Sequence, residues 1–390
     1  MFNRLVFYFL LMVAKKMGPL MTKRVISLGL KSQIFTPQRF LNNRLKTNLM
    51  GRTHNSPIGL ASDFDRNCKF FDFFIPLGLS FGELGSFTLL AESSKERYMF
   101  LPKDKALYIQ GSTIPNPGIS KAVQMLASRR KFPAFVGVSL VSFGSEGEAY
   151  KTSSSAMFGY NNDYHQMAMR VAPYVDYVCL NFSHPNMSLA QMLSDESTIL
   201  PMLLDLKGAL QIAAPLKPPK LVVKVPYDLS ELEVKLIAST CQKAFIDAII
   251  VSGPATANRQ IRTILKRKSA LSMDSSFVTG APLRKDVLQL VKRFYLETAG
   301  QMDIIAAGGI FTAQDVYDAV AHGANAVELC SALIYKGPEV ISKINKDLTK
   351  LLERQNTNII ELRGTKVDLQ SFLDKESQKD QFNIRPDFVD

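Results

Sequence analysis

The stretch DIIAAGGIFTAQDVYDAVAHGANAVELCSALIYKGP, Asp303–Pro338, decides the fold. A short apolar run, Asp303–Ala307, precedes two glycines, and a helical pattern then extends from about Ala313 to His322. Gly323 stands where a glycine commonly ends a helix, and a second apolar run, Ala326–Leu329, follows it. The order strand, glycine turn, helix, strand predicts a parallel βαβ unit.

The same stretch has the features of an anion site. The pair Gly308 and Gly309 lets backbone N–H groups approach an anion closely, and the helix N-terminus that follows favours negative charge. The second strand ends at a hydroxyl residue, Ser331. In (β/α)₈ barrels a phosphate site commonly follows strands seven and eight, and this stretch lies late in the chain, where those strands would be.

Eight apolar runs predict the strands of one α/β protein, a (β/α)₈ TIM barrel. Val, Ile and Leu occupy both alternating positions of these runs, as in strands that are buried on both faces. Eight strands over roughly 280 residues agree with a barrel of about 250 residues plus insertions. The alternative, a doubly wound open sheet, rarely needs eight evenly spaced strands. The predicted strands are Ile58–Ser62, Phe81–Leu89, Ala134–Val141, Tyr177–Ser183, Leu221–Tyr227, Ala248–Gly253, Asp303–Gly309 and Ala326–Ala332, and predicted helices between them include Asn162–Ala172, Leu229–Phe245 and Arg284–Thr298.

Three regions are predicted along the chain. Residues 1–46 form an N-terminal segment, residues 47–350 form the barrel, and residues 351–390 are polar and charged and form a peripheral C-terminal extension. Two insertions interrupt the barrel pattern: residues 90–132 show little regular pattern, and residues 254–282 are polar and basic. Long connections in a compact barrel are often lids or binding loops.

The net charge of +12 is concentrated at the N-terminus. Residues 1–62 contain ten Lys or Arg and no Asp or Glu, which leaves 37 basic and 35 acidic residues in the rest of the chain. Because a nucleic-acid site needs a basic face on a folded domain, we expect no nucleic-acid partner. The four cysteines and four histidines are scattered, so we expect free thiols in a reducing compartment and no metal site.

The N-terminal segment begins MFNRLVFYFLLMVAKK. Its apolar run, Leu5–Ala14, is shorter than the roughly 20 residues that a membrane-spanning helix needs. The basic, acid-free sequence continues to Arg52, which favours a mitochondrial transit peptide or a helical segment on a membrane surface. A secretory signal and a disordered basic tail are the alternatives.

Ligands of such barrels bind at the carboxyl ends of the strands. Lys224 stands there, inside the apolar run Leu221–Tyr227, where a charge must find a partner or shift its pKa. One interpretation is a lysine that reaches solvent from a strand end. The other, which we favour, is a cation held against an anionic ligand or an electron-rich cofactor.

The chain resembles the quinone-dependent, membrane-associated class of the dihydroorotate dehydrogenase family through most of residues 47–350. The match rests on several segments together. They are NSPIGLASDFDRN (55–67), FGELGSFT (81–88), LPKDKAL (101–107), PYVDYVCLNFSHPN (173–186), LVVKVPYDLS (221–230) and the final βαβ stretch through Pro338. The basic N-terminus also fits, since that class carries a targeting segment and a helical membrane-docking region ahead of the barrel.

The resemblance implies an FMN-containing barrel of the mitochondrial inner membrane. Dihydroorotate would be oxidised to orotate in pyrimidine biosynthesis by passing a hydride to the flavin, and ubiquinone would reoxidise it. Lys224 would stabilise the negative charge of the reduced flavin, and Asn181 and Asn186 would hydrogen-bond the substrate. The residues that would contact FMN are Ala61, Ser62, Gly85, Ser139, Asn181, Lys224, Ser252, Thr279, Gly280 and, at the phosphate, Gly308, Gly309, Cys330 and Ser331.

The chain departs from the family pattern around the substrate. The family's catalytic serine is His184 here, and imidazole is also a competent base near neutral pH. The family's N-x-x-G-F-N motif is missing from Leu107–Gly118, and Ser139 and Gly253 stand where the family has asparagines. Several changes together favour an alternative, a catalytically inactive homologue kept as a flavin-binding or structural mitochondrial protein. A flavoenzyme with another substrate lies between the two.

Overall fold

The structure is a computed structural model that describes residues 4–17, 19–32, 42–93, 97–110, 114–128, 134–142, 153–183, 195–253 and 276–374. Its strands are β1 (Thr47–Leu49), β2 (Arg52–His54), β3 (Ile58–Leu60), β4 (Phe81–Phe87), β5 (Arg97–Leu101), β6 (Ala106–Gln110), β7 (Phe135–Leu140), β8 (Tyr177–Asn181), β9 (Lys220–Pro226), β10 (Ala248–Ser252), β11 (Ser276–Gly280), β12 (Asp303–Ala307) and β13 (Ala326–Leu329). Its α-helices are α1 (Arg4–Met17), α2 (Pro19–Lys31), α3 (Phe71–Phe74), α4 (Gly118–Ala127), α5 (Ser153–Val171), α6 (Glu196–Ala213), α7 (Glu231–Lys243), α8 (Arg284–Glu297), α9 (Ala313–Ala321), α10 (Ser331–Lys336), α11 (Val340–Arg354) and α12 (Ile359–Leu362).

Eight parallel strands close into a barrel in the order β10-β12-β13-β3-β4-β7-β8-β9. These are the eight predicted strands, and the predicted (β/α)₈ barrel is confirmed. The last strand closes against the first, with Val327 opposite Ile58 and Leu329 opposite Leu60. Several strands end before the predicted apolar run does, because the final residues leave the sheet. Ser62, for example, begins a 3₁₀ turn that continues to Phe64.

The inside of the barrel has an apolar part and a charged part. The apolar cluster consists of inward-facing residues that include Phe81, Phe135, Tyr177, Val222, Ile250, Ile305 and Ala326. Side chains alternate between the two faces of a strand, so the inward position recurs two residues later. Two residues beyond Phe81, Val222 and Ala326 stand Glu83, Lys224 and Glu328, which we call the charged triad.

The two insertions form a small antiparallel sheet with strand order β11-β6-β5. Residues 90–132, whose sequence shows little regular pattern, contribute β5, β6 and α4. Each strand is only five residues long, and β6 pairs with β11 from the other insertion, with Tyr108 opposite Val278. Such a pairing is set by the fold and leaves no periodic signal in either segment alone.

The N-terminal helices bury part of their apolar surface. Phe7 and Leu11 of α1 and Ile26 of α2 are buried, and the Tyr8 hydroxyl donates a hydrogen bond to the Glu339 carboxylate just before α11. Among the described helices, none combines the length and the hydropathy that are needed to cross a membrane. Toward the C-terminus, the buried side chains include Leu352 of α11 and Ile359 and Leu362 of α12. The predicted region boundaries at residues 46 and 350 stay predictions.

Candidate active site

A cleft opens at the carboxyl ends of the barrel strands, where the sequence places the ligand site. The space between its walls, with the open solvent at its mouth included, is about 980 Å³. Ten of the predicted cofactor residues line it: Ala61, Ser62, Asn181, Lys224, Ser252, Thr279, Gly308, Gly309, Cys330 and Ser331. The structure brings these residues to one cleft; that they bind a cofactor stays a prediction.

The glycine turn after β12 can be built only from glycine. Gly308 and Gly309 have φ angles of +148° and +72°, which L side chains rarely adopt. A Cβ on Gly309 would lie 2.8 Å from both the Arg284 backbone nitrogen and its Cα, so no side chain fits there. The backbone therefore passes α8 closely and leaves its other side open to the cleft.

Hydrogen bonds fix the turn in place. Asp315 accepts from the backbone N–H groups of Phe311 at 2.9 Å and Thr312 at 2.9 Å, and it forms an ion pair with Arg284. Thr312 and Asp315 form a capping box at the start of α9. Helix α10 starts at Ser331, just after the neighbouring strand β13. The first backbone N–H groups of a helix have no partner within the helix. Both features suit an anion between Gly309 and Ser331.

The charged triad crosses the middle of the barrel. Its members stand on β4, β9 and β13, which are not neighbours in the barrel, so the contacts pass through the interior. The Lys224 ammonium forms an ion pair with Glu83, lies 3.9 Å from Glu328 Oε2, and donates to Ser62 Oγ at 3.3 Å. All three side chains are buried. Burial lowers the pKa of Lys224, but the carboxylates of Glu83 and Glu328 more than offset this and raise it above its ordinary value.

The two glutamates differ in their partners. Glu83 accepts a hydrogen bond from Lys224, whereas neither carboxyl oxygen of Glu328 has a hydrogen-bond partner in the described part of the chain. Burial, together with the charge of Glu83, raises the pKa of Glu328 well above its ordinary value, and Lys224 only partly opposes this. Sequence reasoning missed both glutamates. The available signal was the one that identified Lys224, a charged residue inside an apolar strand, here FGELGSF and AVEL.

Polar side chains from β4, β7 and β8 form a chain beside the triad. The Asn181 amide donates to Ser86 Oγ at 3.0 Å, and Ser86 Oγ lies 2.9 Å from Ser139 Oγ. Asn181 Oδ1 accepts from the Ser183 backbone N–H at 3.0 Å and from its hydroxyl at 2.7 Å. Asn181 is thereby fixed in orientation with its carbonyl oxygen already occupied twice.

Three predicted cofactor residues lie off the cleft wall. A Cβ on Gly85 would meet the Ser139 carbonyl at 2.7 Å, and one on Gly280 would meet the Lys105 carbonyl at 2.4 Å, so these glycines allow close backbone packing. Ser139 is buried and bonded to Ser86. His184 and Asn186 lie outside the described residues, so their predicted roles stay predictions.

The insertions give the cleft an apolar wall made of Leu107 and Ile109 of β6, Ile114 after it, and Phe277 of β11. Asn116, the one asparagine in Leu107–Gly118, is buried and fully used elsewhere. Its amide nitrogen donates to Thr88 Oγ1 and to the Ile114 carbonyl, and its Oδ1 accepts from the backbone N–H groups of Thr88 and Gly118. The Asn116 amide is therefore not available to a ligand in the cleft.

Comparison with known proteins supports the family. A sequence profile described as dihydroorotate dehydrogenase matches residues 44–352. The dihydroorotate dehydrogenase (quinone) of Bordetella avium is 31% identical over 319 residues, which cover 79% of this chain and 86% of that protein. The mitochondrial dihydroorotate dehydrogenase (quinone) of Mus musculus is 28% identical over 342 residues, which cover 86% of this chain and 82% of that protein.

Solved structures support the same fold. The crystal structure of DHODH from Eimeria tenella in complex with ferulenol has a TM-score of 0.75 to this chain at 24% identity, covering 88% of this chain and 93% of that one. The profile match spans most of the chain, and the matched residues include both the barrel and the cleft. The chain therefore belongs to the dihydroorotate dehydrogenase family, and its curated relatives are of the quinone-dependent class.

Proposed function

We propose that the chain binds FMN in the cleft and oxidises dihydroorotate to orotate, with ubiquinone as the electron acceptor, in de novo pyrimidine synthesis. The observation that carries the proposal is the meeting of two features in one cleft. The turn at Gly308 and Gly309, with Ser331 beside it, suits a phosphate. Lys224, buried at the end of β9, places a fixed positive charge in the same wall.

The described residues fit FMN at both of its ends. Gly309 and Ser331 would hold the phosphate through backbone N–H groups and a hydroxyl. Lys224, Ser62 and Asn181 would face the ring system with donors. FMN, when bound, supplies the hydride acceptor and the route for electrons to a quinone. The apolar side chains of Ile310, Phe311 and Ile334 line the same cleft and would exclude water from it.

Proton removal from dihydroorotate is assigned to His184. It stands at the family's base position, three residues along the sequence after β8, and a neutral imidazole accepts a proton near neutral pH. We expect Lys224 not to act as a base, because its pKa is raised and it stays charged.

The alternative function is an inactive homologue that binds flavin or serves a structural role in mitochondria. One observation favours it. The segment in which the family carries its substrate asparagines contributes Leu107, Ile109 and Ile114 to the cleft, and its Asn116 is committed to Thr88 and Gly118.

FMN binding is tested by titrating the purified apoprotein and following flavin fluorescence. Gly309→Asp should abolish binding, because the side chain has no room beside Arg284 and its carboxylate would repel the phosphate. Gly208→Asp is the matched control, since Gly208 is exposed in α6 with no atom near its Cβ position. If the wild-type protein purifies colourless and takes up no FMN, the flavin proposal is wrong.

Activity is tested by anaerobic reduction of bound flavin with dihydroorotate. His184→Ala should slow reduction by about 10²–10⁴-fold, the usual contribution of a general base. The wild-type rate should fall below about pH 6.5, where an ordinary histidine is protonated. His165→Ala, a change at an exposed histidine paired with Asp205, is the control. A wild-type protein that binds FMN but is not reduced would contradict dihydroorotate oxidation and leave the inactive homologue and the flavoenzyme with another substrate.

We also propose that α1 rests on the surface of the mitochondrial inner membrane. Phe9 is 60% exposed and Met12 54% exposed, although both are large and apolar. The first 62 residues are basic without acidic residues, which favours anionic lipid surfaces. The protein should sediment with vesicles of phosphatidylcholine and cardiolipin, and Phe9→Ser/Met12→Ser should reduce this. Fusion of residues 1–40 to a reporter tests the mitochondrial address, and a cytosolic reporter would contradict it.

A further inference from the structure

Glu328 is a buried carboxyl that lines the cleft, and none of the described residues forms a hydrogen bond with it. Its side chain is fully shielded from solvent, and neither oxygen has a hydrogen bond within the described residues. Glu328 Oε2 lies 3.9 Å from Lys224 Nζ, which is beyond hydrogen-bond distance. A polar group in such a position is costly unless something completes its hydrogen bonds.

The charge balance around Glu328 indicates which form it takes. The triad contains two carboxyl groups and one ammonium group, all buried inside the barrel. One cation cannot neutralise two buried carboxylates, so one carboxyl keeps its proton. Lys224 is hydrogen-bonded to Glu83, so Glu83 is the ionised partner and Glu328 the protonated one. A protonated carboxyl carries one O–H donor, which needs an acceptor.

Lys224 is the one cation of the described residues that acts on Glu328, and Glu83 Oε2, which would be the acceptor within the triad, also has no hydrogen bond among them. Facing it are Glu83 on β4, Lys224 on β9, and Asp63 in the turn after β3, whose charge also opposes ionisation of Glu328. Tyr177 and Cys179 on β8 interact with both glutamates and are themselves kept neutral, since burial raises their pKa values well above the ordinary range. Glu328 also lines the cleft, so a ligand there can accept a hydrogen bond from it.

We propose that Glu328 is a ligand-binding residue that acts as a neutral carboxylic acid and donates a hydrogen bond into the cleft beside the Lys224 ammonium. The two donors together fit an electron-rich ring edge with adjacent acceptors, such as the N–C=O edge of a pyrimidinedione ring. A ligand edge made of donors would offer no acceptor to the Glu328 carboxylic acid or to the Lys224 ammonium. Resting on the proposed function, this edge belongs to the FMN ring system.

The protonation of Glu328 is tested on the apoprotein by denaturant unfolding across pH 4–9. The native state keeps a proton that the unfolded chain releases above about pH 4.3, so rising pH favours unfolding. Relative to Glu328→Gln, the wild-type unfolding constant should therefore rise up to about tenfold per pH unit until the native pKa is reached, and then level off. Glu353→Gln removes an exposed carboxylate and should give a curve parallel to the wild type.

An independent readout is the infrared absorption of the apoprotein at pH 7. The wild type should show the carbonyl band of a protonated carboxylic acid that Glu328→Gln lacks. If the wild-type and Glu328→Gln stability curves are parallel and no such band is lost, Glu328 is ionised and the inference is overturned.

The donor role is tested by FMN affinity. Glu328→Gln keeps a donor and should bind FMN within about threefold of the wild type, whereas Glu328→Met removes it and should bind about tenfold more weakly, the effect of one hydrogen bond. Wild-type affinity should fall at high pH as Glu328 ionises, and Glu328→Gln should not show that fall. Equal affinity of Glu328→Met and wild type would overturn the donor role. If the wild type takes up no FMN, the proposed function fails together with this role, while the protonation of Glu328 is still decided by the apoprotein measurements.

Discussion

The apolar cluster and the charged triad lie on the same strands of one barrel, two residues apart, yet they differ in what they contribute. In the apolar cluster, Phe135 stacks on Tyr177 with ring centroids 5.5 Å apart, and Gly137 leaves the space that the Tyr177 ring fills. In the charged triad, the Lys224 ammonium donates a hydrogen bond to Glu83, whereas Glu328 has no hydrogen-bond partner in the described chain. One part is closely packed, and the other has donors and charges left over for a ligand.

The energetic consequences of the two arrangements differ as well. Burial of one large apolar side chain stabilises a fold by about 1.5–3 kcal/mol. A buried ion pair is often no more stabilising than apolar residues of the same size, although loss of one partner is strongly destabilising. Stability therefore explains the apolar cluster but not the charged triad, for which we propose a role in ligand binding.

The largest expected effect is that of Lys224→Met. This change leaves Glu83 and Glu328 buried without a cation, and it should lower the free energy of unfolding by about 3–5 kcal/mol, measured by urea denaturation. With the cation removed, a charge on either carboxyl in the native state would be buried and uncompensated. The loss should therefore be small near pH 4 and grow as pH rises above about 4.3, the ordinary value for Glu.

The matched variant is Lys224→Met/Glu83→Gln. With Glu83 neutralised and Glu328 protonated, no buried charge is left in the triad, and part of the stability should return. A Lys224→Met protein as stable as wild type at pH 8 would contradict the contrast between the apolar cluster and the charged triad.

The barrel was predictable because its signals are local. Each strand, such as Ile304–Ala307, is an apolar run on both faces, and each capping pattern, such as Thr312 before α9, lies within a few residues. The pairing of β6 with β11 was not predictable, because it joins two insertions through contacts that only the closed barrel brings together.

The site was predictable in the same uneven way. Gly309 and Lys224 are recognisable from their immediate neighbours. The partners of Lys224 are not, because Glu83 and Glu328 meet it across the barrel from strands far apart in the chain. The hydrogen bond from the Asn116 amide to Thr88 likewise joins separate segments, so it could not be predicted from the sequence.

A smaller effect is expected from Gly137→Ala in the apolar cluster. The added Cβ would lie 2.1 Å from the Tyr177 ring, which is held by its stack on Phe135. Overpacking of this kind should lower the free energy of unfolding by about 1–3 kcal/mol, seen as a lower denaturation midpoint with an unchanged slope. Gly208→Ala, in the exposed open part of α6, is the control and should stabilise by about 0.5–1 kcal/mol. Equal midpoints for Gly137→Ala and wild type would show that the cluster is loosely packed.

The smallest expected effect is that of Tyr177→Phe, at the boundary between the two parts. The Tyr177 ring belongs to the apolar cluster, but its hydroxyl is buried with no hydrogen-bond partner among the described residues, and burial together with Glu83 and Glu328 raises its pKa well above the ordinary value. Removing an unpaired buried hydroxyl relieves its desolvation cost without leaving a partner unsatisfied. Tyr177→Phe should therefore be neutral or stabilising by up to about 1 kcal/mol in urea denaturation. A destabilisation larger than about 1 kcal/mol would mean that the hydroxyl does bond within the barrel. In that case hydrogen bonding inside the barrel extends beyond the charged triad to the Tyr177 hydroxyl, and Tyr177 is not a purely apolar member of the cluster.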